Sequence, residues 1–234
     1  MRLADLTWPD AERARGRVLA VPVGATEQHG PHLPLSTDTD IAVALAEGLA
    51  RARDDVLVAP PVAYGSSGEH GAFAGTLSIG QAATETLLVE LGRSALPPGG
   101  GPFAQVVLVC GHFGNVAPVR RAVRRLRAEG RDVRAFFPRW DGDAHAGRTE
   151  TSLMLALAPE RVRLAAATAG ETAEIGELLP RLMADGVRAV SPSGVLGDPG
   201  GASAREGERL LAAGVAQLAE LVAAEDAEWL AARS

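Results

Sequence analysis

The chain has no lysine, and all 23 of its basic residues are arginine. A Schiff-base lysine and the lysine of a phosphate-binding loop are therefore excluded. It has one cysteine, Cys110, so no internal disulfide forms and nothing calls for an oxidising compartment. In an apolar strand that thiol reads as inert rather than nucleophilic, because burial raises a thiol pKa. Aromatic residues are only 4% of the chain. None interleaves with Arg120, Arg121, Arg124, Arg125 and Arg127, so that basic helix reads as a solvated face or subunit contact, not a base-stacking platform. A formal net charge of -6 likewise argues against nucleic acid as a partner. No apolar run reaches bilayer-spanning length, and Met1 to Asp10 lacks the basic and apolar regions of a secretion signal. The expectation is a cytoplasmic protein with no membrane partner.

What is present is an alternation of short β-branched runs with longer stretches of helical period. Val18 to Val23, Val56 to Ala59, Gln105 to Cys110 and Val133 to Phe137 read as strands. Ile41, Leu45 and Leu49 fall one turn apart on a helix for which Thr37 is the expected N-cap, with Asp40 three residues on. Further helices are expected over Thr84 to Arg93, from Val116 to a stop at Gly130, over Glu150 to Leu157, over Thr172 to Ala184, and from Ser203 to Val222. Pro97 to Pro102 and Ser191 to Gly201 read as loops. The pattern predicts an α/β fold, a mostly parallel sheet covered by helices on both faces, in a single domain spanning residues 1–234.

The chemistry-bearing residues share one position. Glu27 and His29 follow the first strand, His112 follows the strand ending at Cys110, and Asp143 and His145 follow the strand ending near Phe137. Open α/β sheets bind ligands beyond the carboxyl ends of their strands. Histidines and carboxylates with no competing thiolate suit a metal-assisted hydrolase. Glu27 and His29 are two apart, so in extended backbone their side chains point the same way. Asp38 stands at a helix start, where simple capping would explain it equally well. His112 lies between glycines at a strand-to-helix turn. His145 precedes a helix whose first turns hold Glu150, and it is placed to act as acid or base. His70, in the polar loop 65–71, is a candidate for the substrate pocket.

Glu27-Gln-His-Gly-Pro-His-Leu-Pro-Leu-Ser-Thr-Asp38 resembles the signature of the creatininase-like metal amidohydrolases. The resemblance continues, in order, through Glu69-His70-Gly-Ala-Phe-Ala-Gly-Thr-Leu-Ser78, Gly111-His112-Phe-Gly-Asn115, His145-Ala-Gly-Arg-Thr-Glu150-Thr-Ser152 and Gly194-Val-Leu-Gly-Asp198-Pro. It implies a three-layer α/β/α fold, two divalent ions per subunit (Zn, Fe or Mn) and a homohexamer. Glu27, Asp38 and His112 match ligands of the first ion. His29 and Asp38 match ligands of the second, with Asp38 bridging, and His145 matches the catalytic histidine, which Asp143 is expected to orient. His70, Ser78 and Phe113 are the expected substrate contacts. A glutamate that completes the second site in creatininase itself falls at Gly114, so creatinine is a doubtful substrate, and Glu150 is the candidate replacement. The compact, lysine-free chain is most similar to a branch of the family that cleaves a modified precursor peptide near its C-terminus, releasing a Val/Tyr-derived fragment. The alternatives are a small cyclic amide or formamide as substrate, a mononuclear iron redox enzyme, or a non-catalytic scaffold held together by metal.

Overall fold

The computed structural model describes residues 1–224; the rest of the expected 1–234 domain lies outside the described residues. Four strands, β1 (Arg17–Val23), β2 (Val56–Val58), β3 (Phe103–Cys110) and β4 (Val133–Phe136), form one sheet in the order β2-β1-β3-β4. Every pairing in it is parallel. Side chains alternate across the pleat, so each strand feeds two cores. Leu19, Val21, Leu57, Leu108 and Ala135 face one layer, and Val18, Ala20, Val58, Val107 and Phe136 face the other.

Helices α3 (Gly80–Ala95) and α4 (Val116–Ala128) cover the first face with Leu88, Val119 and Leu126. Helices α2 (Thr37–Ala52), α5 (Arg148–Leu157) and α8 (Ala204–Ala223) cover the second with Ile41, Leu45, Met154 and Leu218. The result is the expected three-layer α/β/α arrangement. Helix α1 (Trp8–Arg13) precedes the sheet. Helices α6 (Ile175–Asp185) and α7 (Val187–Val190) form a small third core of Leu178, Leu182, Val187, Val190 and Leu196, with Phe73 packed against it.

The chain runs from β1 outward to β2, then crosses back to lay β3 on the other side of β1. This reversal of strand order opens a crevice between the carboxyl ends of β1 and β3. The two segments richest in candidate ligands leave the sheet at that crevice.

Three local expectations need correction. Thr37 is not the N-cap of α2 but its first residue; Ser36 precedes the helix and donates its hydroxyl to Asp40 (2.8 Å), while Thr37 donates its own to the Pro34 carbonyl (2.7 Å). The helix expected from Thr172 starts at Ile175, because the Glu171 carboxylate captures the N–H groups of Thr172 and Ala173 at 2.9 and 3.0 Å and holds them in a bend. The helix expected from Glu150 begins two residues earlier, at Arg148, leaving Glu150 in its first turn.

Candidate metal centre

All five histidines of the chain are buried, and four of them crowd together with three acidic residues beyond the ends of β1 and β3. Glu27 leaves β1 through Gly24, an obligatory glycine here, since a Cβ would stand 2.4 Å from Thr39. Its carboxylate Oε2 lies 3.2 Å from His112 Nε2, and its Oε1 lies 3.4 Å from His70 Nε2 and 3.8 Å from His145 Nδ1. Asp38, in the first turn of α2, bridges two imidazoles: Oδ1 is 3.1 Å from His29 Nε2 and Oδ2 is 3.2 Å from His112 Nδ1. Glu150 reaches in from α5, with Oε2 3.8 Å from His29 Nε2.

Among the described residues, three overlapping groups of donor atoms are compact enough to hold an ion: Glu27, Asp38 and His112; His29, His145 and Glu150; and Glu27, His70 and His145. Two features of the protein's own atoms fit a cation. Both Glu27 oxygens and Asp38 Oδ2 are buried with no hydrogen-bond donor, although a buried carboxylate without donors is among the costliest groups a fold can hold. The proton affinities point the same way. Burial is the largest influence on Glu27 and pushes it up to about 8 against the pull of His112. Burial would lower His29 and His112, but the surrounding carboxylates override it, Asp38 foremost at His29 and Glu27 foremost at His112, and lift each to about 10. Burial would raise Asp38, yet those two imidazoles hold it well below the usual carboxylate range. Protons thus supply the positive charge that the cluster demands, and a divalent ion would answer the same demand.

His70 and His145 behave differently. Burial first, then repulsion from neighbouring imidazoles, drives His70 down to about 3 and His145 well below its ordinary value. The backbone of His145 is pinned to the late loop by reciprocal hydrogen bonds with Leu196 (3.1 and 2.8 Å). Ala146 follows it in the left-handed region at φ 53°, a conformation that costs about 1–2 kcal/mol for a residue with a Cβ. The Ala146 N–H is in turn held by Glu150 Oε2 at 2.6 Å.

Asp143 makes no hydrogen bond to the His145 imidazole, whose ring nitrogens face Gln28 and Glu27. Its carboxylate accepts the N–H groups of Arg148 (2.6 Å) and Asp198 (3.1 Å), fastening the start of α5 to the late loop. Short acidic side chains readily take such local backbone bonds. Ser78 is similarly engaged in lacing its loop, accepting from Ser67 N–H (3.0 Å) and Gly80 N–H (3.3 Å). Phe113, 72% exposed beside buried His112, stands at the rim. Cys110 is buried, and burial pushes its thiol up to about 12, as expected of an inert residue.

Gly114 has no room for a side chain: a Cβ there would stand 2.3 Å from the Ser66 carbonyl and 2.4 Å from His112 Nε2. Two residues with no role assigned from sequence prove central. Asn115 ties loop 65–71 to β1, accepting from Ser66 N–H (2.8 Å) and donating to the Gly24 carbonyl (2.9 Å). Gln28 touches both His70 and His145. Both lie inside the quoted motifs, but a neutral amide carries no sequence signal that separates a structural contact from a functional one.

Comparison with known proteins places this geometry. A family model described as Creatininase: Creatinine amidohydrolase matches residues 4–222. A mycofactocin precursor peptide peptidase from Mycolicibacterium smegmatis is 53% identical over 203 residues, 83% of this chain and 80% of that protein. A solved mutant of creatininase superposes with a TM-score of 0.78 at 27% identity, covering 94% of this chain and 97% of its own. A structure described as creatininase Mn gives a TM-score of 0.76 at 26% identity, covering 94% and 96%.

Proposed function

The chain belongs to the creatininase family, and on that premise we propose that it is a metal-dependent peptidase. In this reading it hydrolyses an amide bond near the C-terminus of a modified mycofactocin precursor peptide and releases a Val/Tyr-derived fragment. It is a hydrolase of amide C–N bonds that binds divalent metal. The observation that carries the proposal is Glu27, whose two buried oxygens make no hydrogen bond while lying 3.2–3.8 Å from ring nitrogens of His112, His70 and His145. The identity to a named peptidase supports the choice of peptide over creatinine, and so does Gly114, where no carboxylate can be placed.

Glu27, Asp38 and His112 would hold one ion, and His29, Asp38 and Glu150 a second. Zn, Fe and Mn all suit such mixed N/O ligands. When bound, the metal lowers the pKa of a water and polarises the scissile carbonyl. The chain does the rest. His145 Nδ1 accepts a proton from the attacking water and passes it to the departing nitrogen, a role worth about 10²–10⁴ in rate. Its depressed basicity suits the second half of that task, since an imidazolium held there releases its proton readily. His70, buried beside Glu27, and Phe113, exposed next to His112, are the proposed substrate contacts, and Asp143 fastens the start of α5 to the late loop through Arg148 and Asp198. Assembly as a homohexamer is part of the same proposal.

Mass spectrometry of the modified precursor peptide incubated with metal-loaded protein tests it, with the unmodified peptide and creatinine as controls. A hydrolysis product cut near the C-terminus of the modified peptide is expected. No cleavage with metal bound would overturn the peptide assignment and favour a small cyclic amide.

A further inference from the structure

Gln28 lies between His70 and His145, and its own amide has a fixed orientation. Its Oε1 accepts the Gly30 N–H at 2.9 Å, which identifies the oxygen, and its Nε2 donates to the Gly194 carbonyl at 3.0 Å, which identifies the nitrogen. The second amide hydrogen remains for His70 Nδ1, 2.9 Å away. That nitrogen must therefore be a bare acceptor, and the proton of the neutral His70 ring resides on Nε2, facing Glu27 Oε1 at 3.4 Å. A nitrogen carrying its proton cannot coordinate a metal.

His145 is sorted the other way. Its Nε2 lies 2.9 Å from the main-chain carbonyl of Gln28, which can only accept. Nε2 is thus the protonated nitrogen, and its 3.0 Å approach to the Gln28 amide nitrogen is a contact between two donors rather than a hydrogen bond. The bare nitrogen of His145 is Nδ1, which points into the cluster toward Glu27.

We propose that Gln28 is a positioning residue that sets the tautomers of both histidines, keeping His70 as an N–H donor outside the metal shell and turning the bare Nδ1 of His145 toward the cluster, where it can accept a proton. Among the three compact donor groups, the one built on His70 is thereby excluded as an ion site. This rests on the metal-centre reading given above. It also gives His70 a task, a hydrogen-bond donor beside Glu27 aimed where an oxygen of a bound amide can accept.

Neutron diffraction from deuterated crystals of the zinc-loaded protein tests this without relying on turnover. Deuterium is expected on Nε2 of both His70 and His145 and on Nδ1 of neither. Deuterium on His70 Nδ1, or zinc bonded to His70 Nε2, would overturn the proposal whether or not the protein cleaves peptides. Gln28→Glu supplies a second arm, because a carboxylate only accepts and forces the His70 proton onto Nδ1. At unchanged zinc content its turnover should fall about 10–100-fold, as for other groups that orient residues of a metal site. Wild-type turnover in Gln28→Glu would contradict the assignment. The wild-type crystal decides the question alone if that variant fails to fold.

Discussion

Val21, Leu108 and Ala135 lie in the bodies of the strands with apolar neighbours in one layer, while Glu27, Asp38 and His112, just past the ends of β1 and β3 or facing them, are buried as deeply among charges. Depth is the same in the two regions and its consequence is opposite. Each Å² of apolar surface removed from water in the layers contributes about 25 cal/mol. A charged group removed from water costs several kcal/mol unless a partner compensates it. The layers therefore enclose a centre whose buried carboxylates depend on positive charge, from protons or from a cation, for compensation.

The contrast breaks most visibly at His112. His112→Ala removes a ligand shared by Glu27 and Asp38, so activity should fall to background and bound metal should drop, read by turnover and by elemental analysis. Retention of both metal and full activity would sink the proposed site. His145→Ala should come next, lowering kcat about 10²–10⁴-fold while the Glu27, Asp38 and His112 group still takes up an ion. A mutation in the layers should do the reverse. Leu126→Ala, fully buried on α4 far from the centre, should cost about 2–5 kcal/mol in denaturant unfolding and leave kcat of the folded protein unchanged.

Proton competition sharpens the comparison further. With Glu27 raised to about 8 and His29 and His112 to about 10, the metal-free native state holds protons between pH 7 and 9 that the unfolded chain, at ordinary values, has released. Stability of chelator-treated protein should therefore fall as pH rises through that window. Metal must displace the same protons, so its affinity should rise with pH and the gap between metal-loaded and metal-free melting temperatures should widen from pH 7 to 9. A gap that narrows would contradict these assignments. The smallest effect belongs to the rim: Phe113→Ala should raise KM several-fold and leave stability within about 0.5 kcal/mol.

Much of this was legible in the residues. The short apolar, β-branched runs located β1 to β4, because a parallel sheet covered on both faces leaves few polar positions inside. The spacing of Ile41, Leu45 and Leu49 located α2. The ligand segments were found because each sits directly after a strand, and strand ends converge at a crevice in a parallel sheet. Boundaries failed where one polar side chain outbid the helix, as Glu171 does for Thr172 and Ala173. The partners of Asp143, Arg148 and Asp198, were not legible, because its distance from His145 in sequence says nothing about which way its loop turns.

The sequence by itself determined the layered α/β order, the burial of the apolar stripes and the donor types available for a metal, since these follow from periodicity and side-chain chemistry. Only the tertiary structure decided which donors meet. Gln28 reaches His70 and His145 across 42 and 117 residues, Gly194 fixes its amide from 166 residues away, and the carboxylates lose their solvent only when all these loops close. Hydrogen-bond direction, tautomer and proton affinity are properties of that closed environment, set by distance and desolvation, and no local stretch of chain contains them.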